Sequence, residues 1–152
     1  MKWLKEPRAT LVLVGPPGTG KTYLCAAIVA HLAEKMSYIR AYSERELMKR
    51  LRASMDEYAA GDYLEELHHL IDDELIILDD LGSSGHTDWR AEVWMEAIDF
   101  RYSKKLPLIV TSNLRPQEIG RQYGQRVQSR IFATENTVID SWGMPDLRQQ
   151  GK

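Results

Sequence analysis

The eight residues GPPGTGKT, Gly15–Thr22, fit the pattern G-x-x-x-x-G-K-[ST] of a phosphate-binding loop. A short apolar segment, Leu11–Val14, comes directly before them, and the Ala- and Leu-rich segment Thr22–Met36 follows. The loop therefore lies where such a loop is expected, between a strand and the N-terminus of a helix. A Gly-rich turn that binds nothing is the alternative, and the agreement of pattern and context argues against it.

This loop predicts a site for ATP and Mg²⁺. Its glycines allow backbone N–H groups to turn inward around phosphate oxygens, and the helix N-terminus adds a partial positive charge. We expect Lys21 to contact the β- and γ-phosphates and the Thr22 hydroxyl to bind Mg²⁺. The residues expected to hold the nucleotide are Gly15, Pro16, Pro17, Gly18, Thr19, Gly20, Lys21, Thr22 and Tyr23.

Apolar runs and helical spacing alternate along the chain, which favours an α/β domain with a mostly parallel sheet. The predicted strands are Leu11–Val14, Tyr38–Tyr42, Leu75–Leu78, Leu108–Thr111 and Thr137–Ile139. The predicted helices are Thr22–Met36, Glu44–Met55, Asp62–Ile71, Asp88–Tyr102 and Gln125–Ala133, with Gly61 separating the second from the third.

The segment LIILDDLG, Leu75–Gly82, is an apolar strand that ends in two acids. In parallel sheets, ligands lie at the carboxyl ends of the strands. We expect Asp79 to hold the Mg²⁺ shell and Asp80 to polarise the attacking water. A pair of solvated acids in a turn is the alternative. Because Asp80 is one methylene shorter than the Glu of many ATPases, the sequence predicts slow hydrolysis.

Two polar segments toward the C-terminus complete the candidate site. Asn113 ends the apolar run LIVTSN, where it would either bridge the γ-phosphate and the water or cap the turn. Arg126 and Arg130 are four residues apart in QRVQSRIFA, and so share one helix face. That face is either solvated or supplies an arginine to the ATP of another subunit.

The bulk composition restricts the partners and the compartment. The net charge is −2, so any nucleic-acid surface must be a local patch. The single cysteine, Cys25, allows no internal disulfide, and the apolar runs are too short to cross a membrane. We therefore expect a cytoplasmic protein with no membrane partner.

The motifs GPPGTGKT, LIILDDLG, IVTSNL, QRVQSRI and MPDLR, in this order, resemble the AAA+ ATPase domain of the DnaC/DnaI-type replicative helicase loaders. The DnaA initiators and IstB-type transposition helpers are related families, and the resemblance covers roughly Leu11 to Arg148. It implies one AAA+ domain over residues 1–152. The implied fold is a three-layer α/β sandwich whose parallel five-stranded sheet has the order 5-1-4-3-2, without a C-terminal helical lid or its sensor 2 arginine.

The resemblance also implies roles for particular residues. Asn113 takes the sensor 1 position, on a strand between those of the P-loop and Asp79. Arg130 resembles the arginine finger that reaches the ATP of the next subunit, and Arg126 its companion. The predicted helices at about residues 44–71 fall where this family has an insertion. Residues expected along a path for single-stranded DNA are Thr87, Trp89, Arg90, Lys49 and Arg52, although Trp89 also fits a core position and the basic residues a solvated face.

The implied function is that of an ATP-dependent helicase loader. Subunits would self-associate into a ring or spiral around ATP and single-stranded DNA and place a replicative helicase on the DNA. Alternatives are an IstB-type transposition helper, a nucleotide-switched interaction module with negligible hydrolysis, and, last, a small-molecule kinase. Only fourteen residues precede Gly15, so the N-terminal region with which loaders grip the helicase is not in this sequence, or the contact lies elsewhere.

Overall fold

The computed structural model describes residues 3–53, 67–85 and 87–149. Five parallel strands form one sheet in the order β2-β3-β4-β1-β5. Read from the other edge, this is the expected order 5-1-4-3-2, and the prediction is confirmed. The strands are β1 (Thr10–Val14), β2 (Ile39–Ser43), β3 (Leu75–Leu81), β4 (Leu108–Ser112) and β5 (Thr137–Asp140).

Helices cover both faces of this sheet. They are α1 (Lys21–Leu32), α2 (Glu44–Ala53), α3 (Asp88–Lys104), α4 (Pro116–Tyr123) and α5 (Gln125–Ile131), and residues 67–72 are also helical. Short 3₁₀ turns lie at Trp3–Lys5 and Leu147–Gln149. Helix α4 was not predicted, and α1 ends four residues earlier than expected. Residues 54–66, the middle of the proposed insertion, lie outside the described residues.

Two apolar cores result from this layering. One lies between the sheet and α1, where Cys25, Ile28 and Leu32 pack on inward-facing strand residues such as Leu13. The other lies under the remaining helices and is larger. The central strands are buried on both faces, which explains why they are continuously apolar in the sequence. The sheet therefore holds the carboxyl ends of β1, β3 and β4 rigidly at one edge.

Helical spacing predicts Trp89, Val93, Ala97 and Phe100 on the buried face of α3. Val93 and Ala97 are buried as predicted, and Trp94 and Arg101, which were not predicted, are fully buried beside them. Trp89 is half-buried and packs against the larger core, in agreement with the core alternative. The two terminal nitrogens of the Arg101 guanidinium donate to backbone carbonyls, among them Asp73 at 2.9 Å and Pro107 at 2.7 Å, and burial lowers the pKa of Arg101 to about 10.

A buried carboxylate connects α2 to the loop that follows β3. Glu44 is fully buried and accepts hydrogen bonds from Trp94 Nε1 at 3.0 Å and the Tyr123 hydroxyl at 2.5 Å. Its other oxygen accepts from the backbone N–H groups of Gly82 at 2.9 Å and Ser84 at 3.2 Å. Because it joins three helices and this loop, Glu44 fixes the chain immediately after the acidic strand end.

None of the helices that the structure describes is long and apolar enough to span a membrane.

Candidate functional site

The P-loop has a backbone that depends on its glycines. Gly18 and Gly20 have φ of 84° and 83°, in the left-handed region that disfavours other residues. A Cβ atom at Gly18 would also lie 2.0 Å from the Asp146 carboxylate, and one at Gly15 would lie 2.0 Å from Ser141 Oγ. Helix α1 begins directly after the loop, at Lys21, so its N-terminus faces the concave side where phosphates would bind.

Lys21 contacts the loop itself in this structure. Its ammonium donates hydrogen bonds to the carbonyls of Gly15 at 2.7 Å and Pro16 at 2.8 Å. Partial burial lowers the pKa of Lys21, Asp80 and Asp79 act in the opposite direction, and Arg148 lowers it further. The two carbonyls therefore hold the ammonium beside the two acids of β3.

Thr22 and Asp79 converge as a Mg²⁺ site requires. The Thr22 hydroxyl lies 3.3 Å from Asp79 Oδ1, and the same carboxylate oxygen accepts a bond of 2.6 Å from the Thr111 hydroxyl. No group of three or more His, Cys, Asp or Glu side chains suited to a metal occurs among the described residues. The hydroxyl and carboxylate oxygens fit Mg²⁺ that arrives with phosphates, which supply other ligands.

A bulge in β3 brings Asp79 and Asp80 to the same site. Leu78 pairs with Val110 and Leu81 with Ser112, so β3 has one extra residue between these pairs. Asp80 adopts a φ of 61°, a conformation that Asp tolerates better than most residues. Consecutive residues of a regular strand point to opposite faces. The bulge removes that restriction, and both acids line one cavity.

The side chains at the tip of β4 hold this bulge. The Thr111 hydroxyl accepts a bond of 2.8 Å from the backbone N–H of Asp80, in addition to its contact with Asp79. The Asn113 side-chain amide donates a bond of 2.7 Å to Asp80 Oδ1. Thr111 was missed by the sequence analysis, although it stands two residues before Asn113 on the strand that was predicted to lie beside Asp79.

These groups surround a cavity of about 820 Å³, a size typical of small-molecule sites. Most predicted nucleotide-binding residues, both acids and Asn113 lie on it, whereas Arg126 and Arg130 are not among its lining residues. The lining residues are Pro17, Gly18, Thr19, Gly20, Lys21, Thr22, Tyr23, Leu24, Ala27, Asp79, Asp80, Thr111, Asn113, Leu147 and Arg148.

The C-terminal segment contributes to the cavity in a way that was not predicted. Leu147 donates its backbone N–H to the Gly18 carbonyl at 3.0 Å, and Arg148 lines the wall, paired with Asp146 at 3.2 Å. The family resemblance implied no sensor 2 arginine, so no arginine of this chain was expected at its own nucleotide site. The closing motif MPDLR was noted there as a signature, but nothing in it indicated contact with the P-loop.

Arg126 and Arg130 share one carboxylate on α3. Arg126 donates to Asp99 through Nε at 3.2 Å and Nη2 at 2.7 Å, and Arg130 through Nε at 3.0 Å. These hydrogen bonds lower the pKa of Asp99. Because the two arginines lie away from the cavity lining, they do not complete the site within one subunit.

The residues proposed for a DNA path have local roles or are exposed. Thr87 caps α3 by accepting a bond of 3.4 Å from the Arg90 backbone, and the Arg90 side chain donates to the Gly85 carbonyl. Lys49 and Arg52 are exposed on α2. The structure thus leaves the basic side chains of α2 accessible and gives Thr87 a structural role.

Comparison with known proteins identifies a family of ATP-binding proteins. The family model of the IstB-like ATP-binding proteins matches residues 1–132. The replicative helicase loader DnaI of Bacillus subtilis is 33% identical over 119 residues, which are 76% of this chain and 37% of DnaI. The replicative helicase loader DnaC of Escherichia coli K12 is 26% identical over 147 residues, 95% of this chain and 59% of DnaC.

Comparison of the fold with solved structures identifies the same family. The crystal structure of a DnaC helicase loader superposes with a TM-score of 0.75 at 27% identity, over 91% of this chain and 84% of that one. The chain spans between about two fifths and three fifths of the length of the curated relatives described above. The expected resemblance is confirmed: the chain belongs to the DnaC/IstB family of AAA+ ATP-binding proteins.

Proposed function

We propose that the chain is the ATPase unit of a replicative helicase loader, which hydrolyses ATP slowly at a site shared between subunits. The observation that supports this proposal most directly is that the candidate catalytic groups lie in two separate places. The P-loop, Asp79, Asp80 and Asn113 converge on one cavity, whereas Arg130 lies outside its lining. The chain's relatives DnaI and DnaC, which are both named as helicase loaders, support the proposed biological role.

In this proposal, water attacks the γ-phosphorus of ATP and ADP leaves. Lys21 leaves the Gly15 and Pro16 carbonyls and donates to phosphate oxygens. Thr22 and Asp79 would hold Mg²⁺, which would screen the phosphate charge. Asp80 accepts a proton from, or orients, the attacking water, while Asn113 holds the Asp80 carboxylate in place. The hydrogen bonds that join Thr22 to Asp79 and Asn113 to Asp80 support this assignment.

The proposed shared site requires the chain to self-associate. Phosphoryl transfer develops charge that cationic groups stabilise, and an arginine from a neighbour is one common source. Arg130, with Arg126 beside it, is the proposed source here. A head-to-tail contact of this kind closes into a ring or continues as a spiral. We propose that such an assembly holds single-stranded DNA, with exposed Lys49 and Arg52 contacting phosphates.

A loading assay tests this role. The hexameric replicative helicase of the same organism is mixed with a single-stranded DNA circle that carries a labelled annealed oligonucleotide. A circle has no end to thread, so displacement of the oligonucleotide reports ring loading. We expect the wild-type chain and ATP to increase displacement, and Lys21→Ala to abolish the increase. Equal displacement with both proteins would contradict the loader proposal.

Two other functions predict different experimental results. A transposition helper is favoured by the IstB-like family model, and it predicts ATP-dependent assembly on DNA without any effect on helicase loading. A nucleotide switch is favoured by Asp80, the shorter acid. It predicts ATP binding with no turnover above that of Lys21→Ala, with or without single-stranded DNA.

A further inference from the structure

The network around Asp99 gives the two candidate arginines different roles. Arg126 uses two donors on both oxygens of the carboxylate, so the edge of its guanidinium is occupied by Asp99. Arg130 donates to Asp99 through Nε, at the base of the guanidinium. Its side chain is 35% exposed. Asp99 therefore anchors Arg130 without using the terminal amino groups that a phosphate would need.

An aromatic ring supports Arg130 from a second side. Its Cζ lies 4.5 Å from the centroid of the Tyr102 ring, a cation–π contact. The Tyr102 hydroxyl in turn donates a bond of 2.5 Å to Glu135. Asp99 and Tyr102 are one turn apart on α3, so both supports belong to one rigid helix. Together they limit the orientations open to a long, flexible side chain.

The helix that carries Arg130 is itself tied to the P-loop strand. Asn136 donates from its side-chain amide to the carbonyls of Arg130 at 2.7 Å and Ile131 at 2.8 Å, at the C-terminal end of α5. The side-chain oxygen of Asn136, Oδ1, accepts a hydrogen bond of 3.1 Å from the backbone N–H of Thr10 in β1. Asn136 therefore connects the end of the helix that carries Arg130 to β1, the strand that precedes the subunit's own P-loop.

We propose that Asp99 is a positioning residue, which with Tyr102 holds Arg130 oriented toward the γ-phosphate of ATP bound by a second copy of this chain. The inference rests on the proposed function, because it requires that Arg130 acts between subunits. Because Asp99 takes only the Nε donor of Arg130, the terminal amino groups are left to face an anionic phosphate. An arginine fixed before assembly loses less freedom when the subunits meet, and small misplacements of catalytic groups are costly to rate.

Mixed assemblies test this inference, since they assign a defect to the subunit that gives the arginine. A donor chain with Lys21→Ala has no ATP site but an intact Arg130, and an acceptor chain with Arg130→Ala has the reverse. Each alone is expected to be inactive, and the mixture to recover turnover. Adding Asp99→Asn to the donor is then expected to lower recovered kcat by about 10- to 100-fold, with KM for ATP unchanged.

Two controls separate positioning from folding. Placing Asp99→Asn in the acceptor, which already lacks Arg130, is expected to leave recovered turnover unchanged, whereas a folding defect would lower it there too. Glu96→Gln neutralises an exposed acid on the same helix and is expected to have no effect in the donor. The conservative donor variant Tyr102→Phe keeps the ring and is expected to retain most activity, in contrast to Tyr102→Leu.

The outcomes distinguish this inference from the function on which it rests. If the donor and acceptor recover turnover but Asp99→Asn in the donor recovers it equally well, Asp99 has no positioning role and the shared site stands. An equal loss with Asp99→Asn in either subunit assigns the residue to stability and also overturns the inference. If donor and acceptor never recover turnover together, the shared site fails and the inference fails with it.

Discussion

The Asn113 side-chain amide donates a hydrogen bond of 2.7 Å to the Asp80 carboxylate, which joins the tip of β4 to the bulge of β3. The carboxylate is thus held by a neighbouring strand at the edge of the cavity rather than free to rotate. We therefore expect Asn113→Ala to lower kcat by about 10- to 100-fold while ATP binding persists, because Asp80 would lose its orientation. Steady-state kinetics together with equilibrium binding of a fluorescent ATP analogue measure the two effects separately.

The length of the acid at position 80 is a second, independent test. Glu extends one methylene further into the cavity, so we expect Asp80→Glu to raise kcat if reach to the water limits hydrolysis. Asp80→Asn, which keeps the shape but removes the charge, is the matched control and is expected to reduce turnover to background. A fast wild-type enzyme, or a slower Asp80→Glu, would contradict the idea that Asp80 limits the rate.

Thr111 is expected to matter for both stability and magnesium binding. Thr111→Val keeps the shape but removes the hydroxyl that accepts from the Asp80 N–H and donates to Asp79. An unpaired buried N–H costs about 1–3 kcal/mol, which urea unfolding would register. We also expect the Mg²⁺ concentration for half-maximal turnover to increase, because Asp79 loses its fixed orientation. An unchanged Mg²⁺ dependence would exclude that role.

Arg148 is expected to strengthen nucleotide binding from the C-terminal segment. It lines the cavity and lies close enough to influence the pKa of Lys21. A hydrogen bond to a charged group contributes about 1.5–3 kcal/mol, so Arg148→Ala is expected to weaken ATP binding by about 10-fold or more. Arg8→Ala removes an exposed arginine paired with Glu6 and serves as the control. Equal affinity in both variants would place Arg148 outside the nucleotide contacts.

The hydrogen bonds of Glu44 predict an effect on stability at a residue that does not line the cavity. Glu44→Ala would leave the donors of Trp94, Gly82 and Ser84 without their carboxylate partner. We expect it to lower the free energy of unfolding by at least about 3 kcal/mol, a large part of a typical domain's stability. Tyr123→Phe removes one donor only and is expected to cost about 1 kcal/mol. Urea denaturation of both variants checks the ranking.

The positions of the strands followed from the sequence because each central strand is apolar on both faces. Leu11–Val14 and Leu75–Leu78 read as continuous apolar runs, and the P-loop fixed the first of them at the nucleotide site. The order of the strands came from family resemblance rather than from these patterns. Both predictions agree with the structure.

The features that the sequence did not reveal depend on contacts between distant segments. Helix α4 is only eight residues long and contains Gly120, so its short apolar pattern resembles a loop. The bulge at Asp79 and Asp80 is defined by pairing with β4, which no local pattern encodes. Arg101 is a charged residue, yet it is buried in the core, where its terminal nitrogens donate to carbonyls of residues up to thirty-one positions away.

In the candidate site, too, some residues could be predicted from the sequence and others could not. The P-loop and Asp79 belong to recognisable motifs, whereas Asp99 and Arg148 became candidates only from their positions in the folded chain. Asp99 stands on the face of α3 that meets α5, and its sequence context is an ordinary amphipathic helix. Only the packing of α5 on α3 brings it between Arg126 and Arg130.

The most direct test of the shared site is ATP turnover per subunit as a function of protein concentration, for wild type and Arg130→Ala, with ATP binding measured in parallel. We predict that wild-type turnover rises with concentration as subunits assemble, and that Arg130→Ala binds ATP normally but stays inactive at every concentration. Turnover per subunit that is constant with concentration, and equal in the two proteins, would contradict a site completed by a neighbouring subunit.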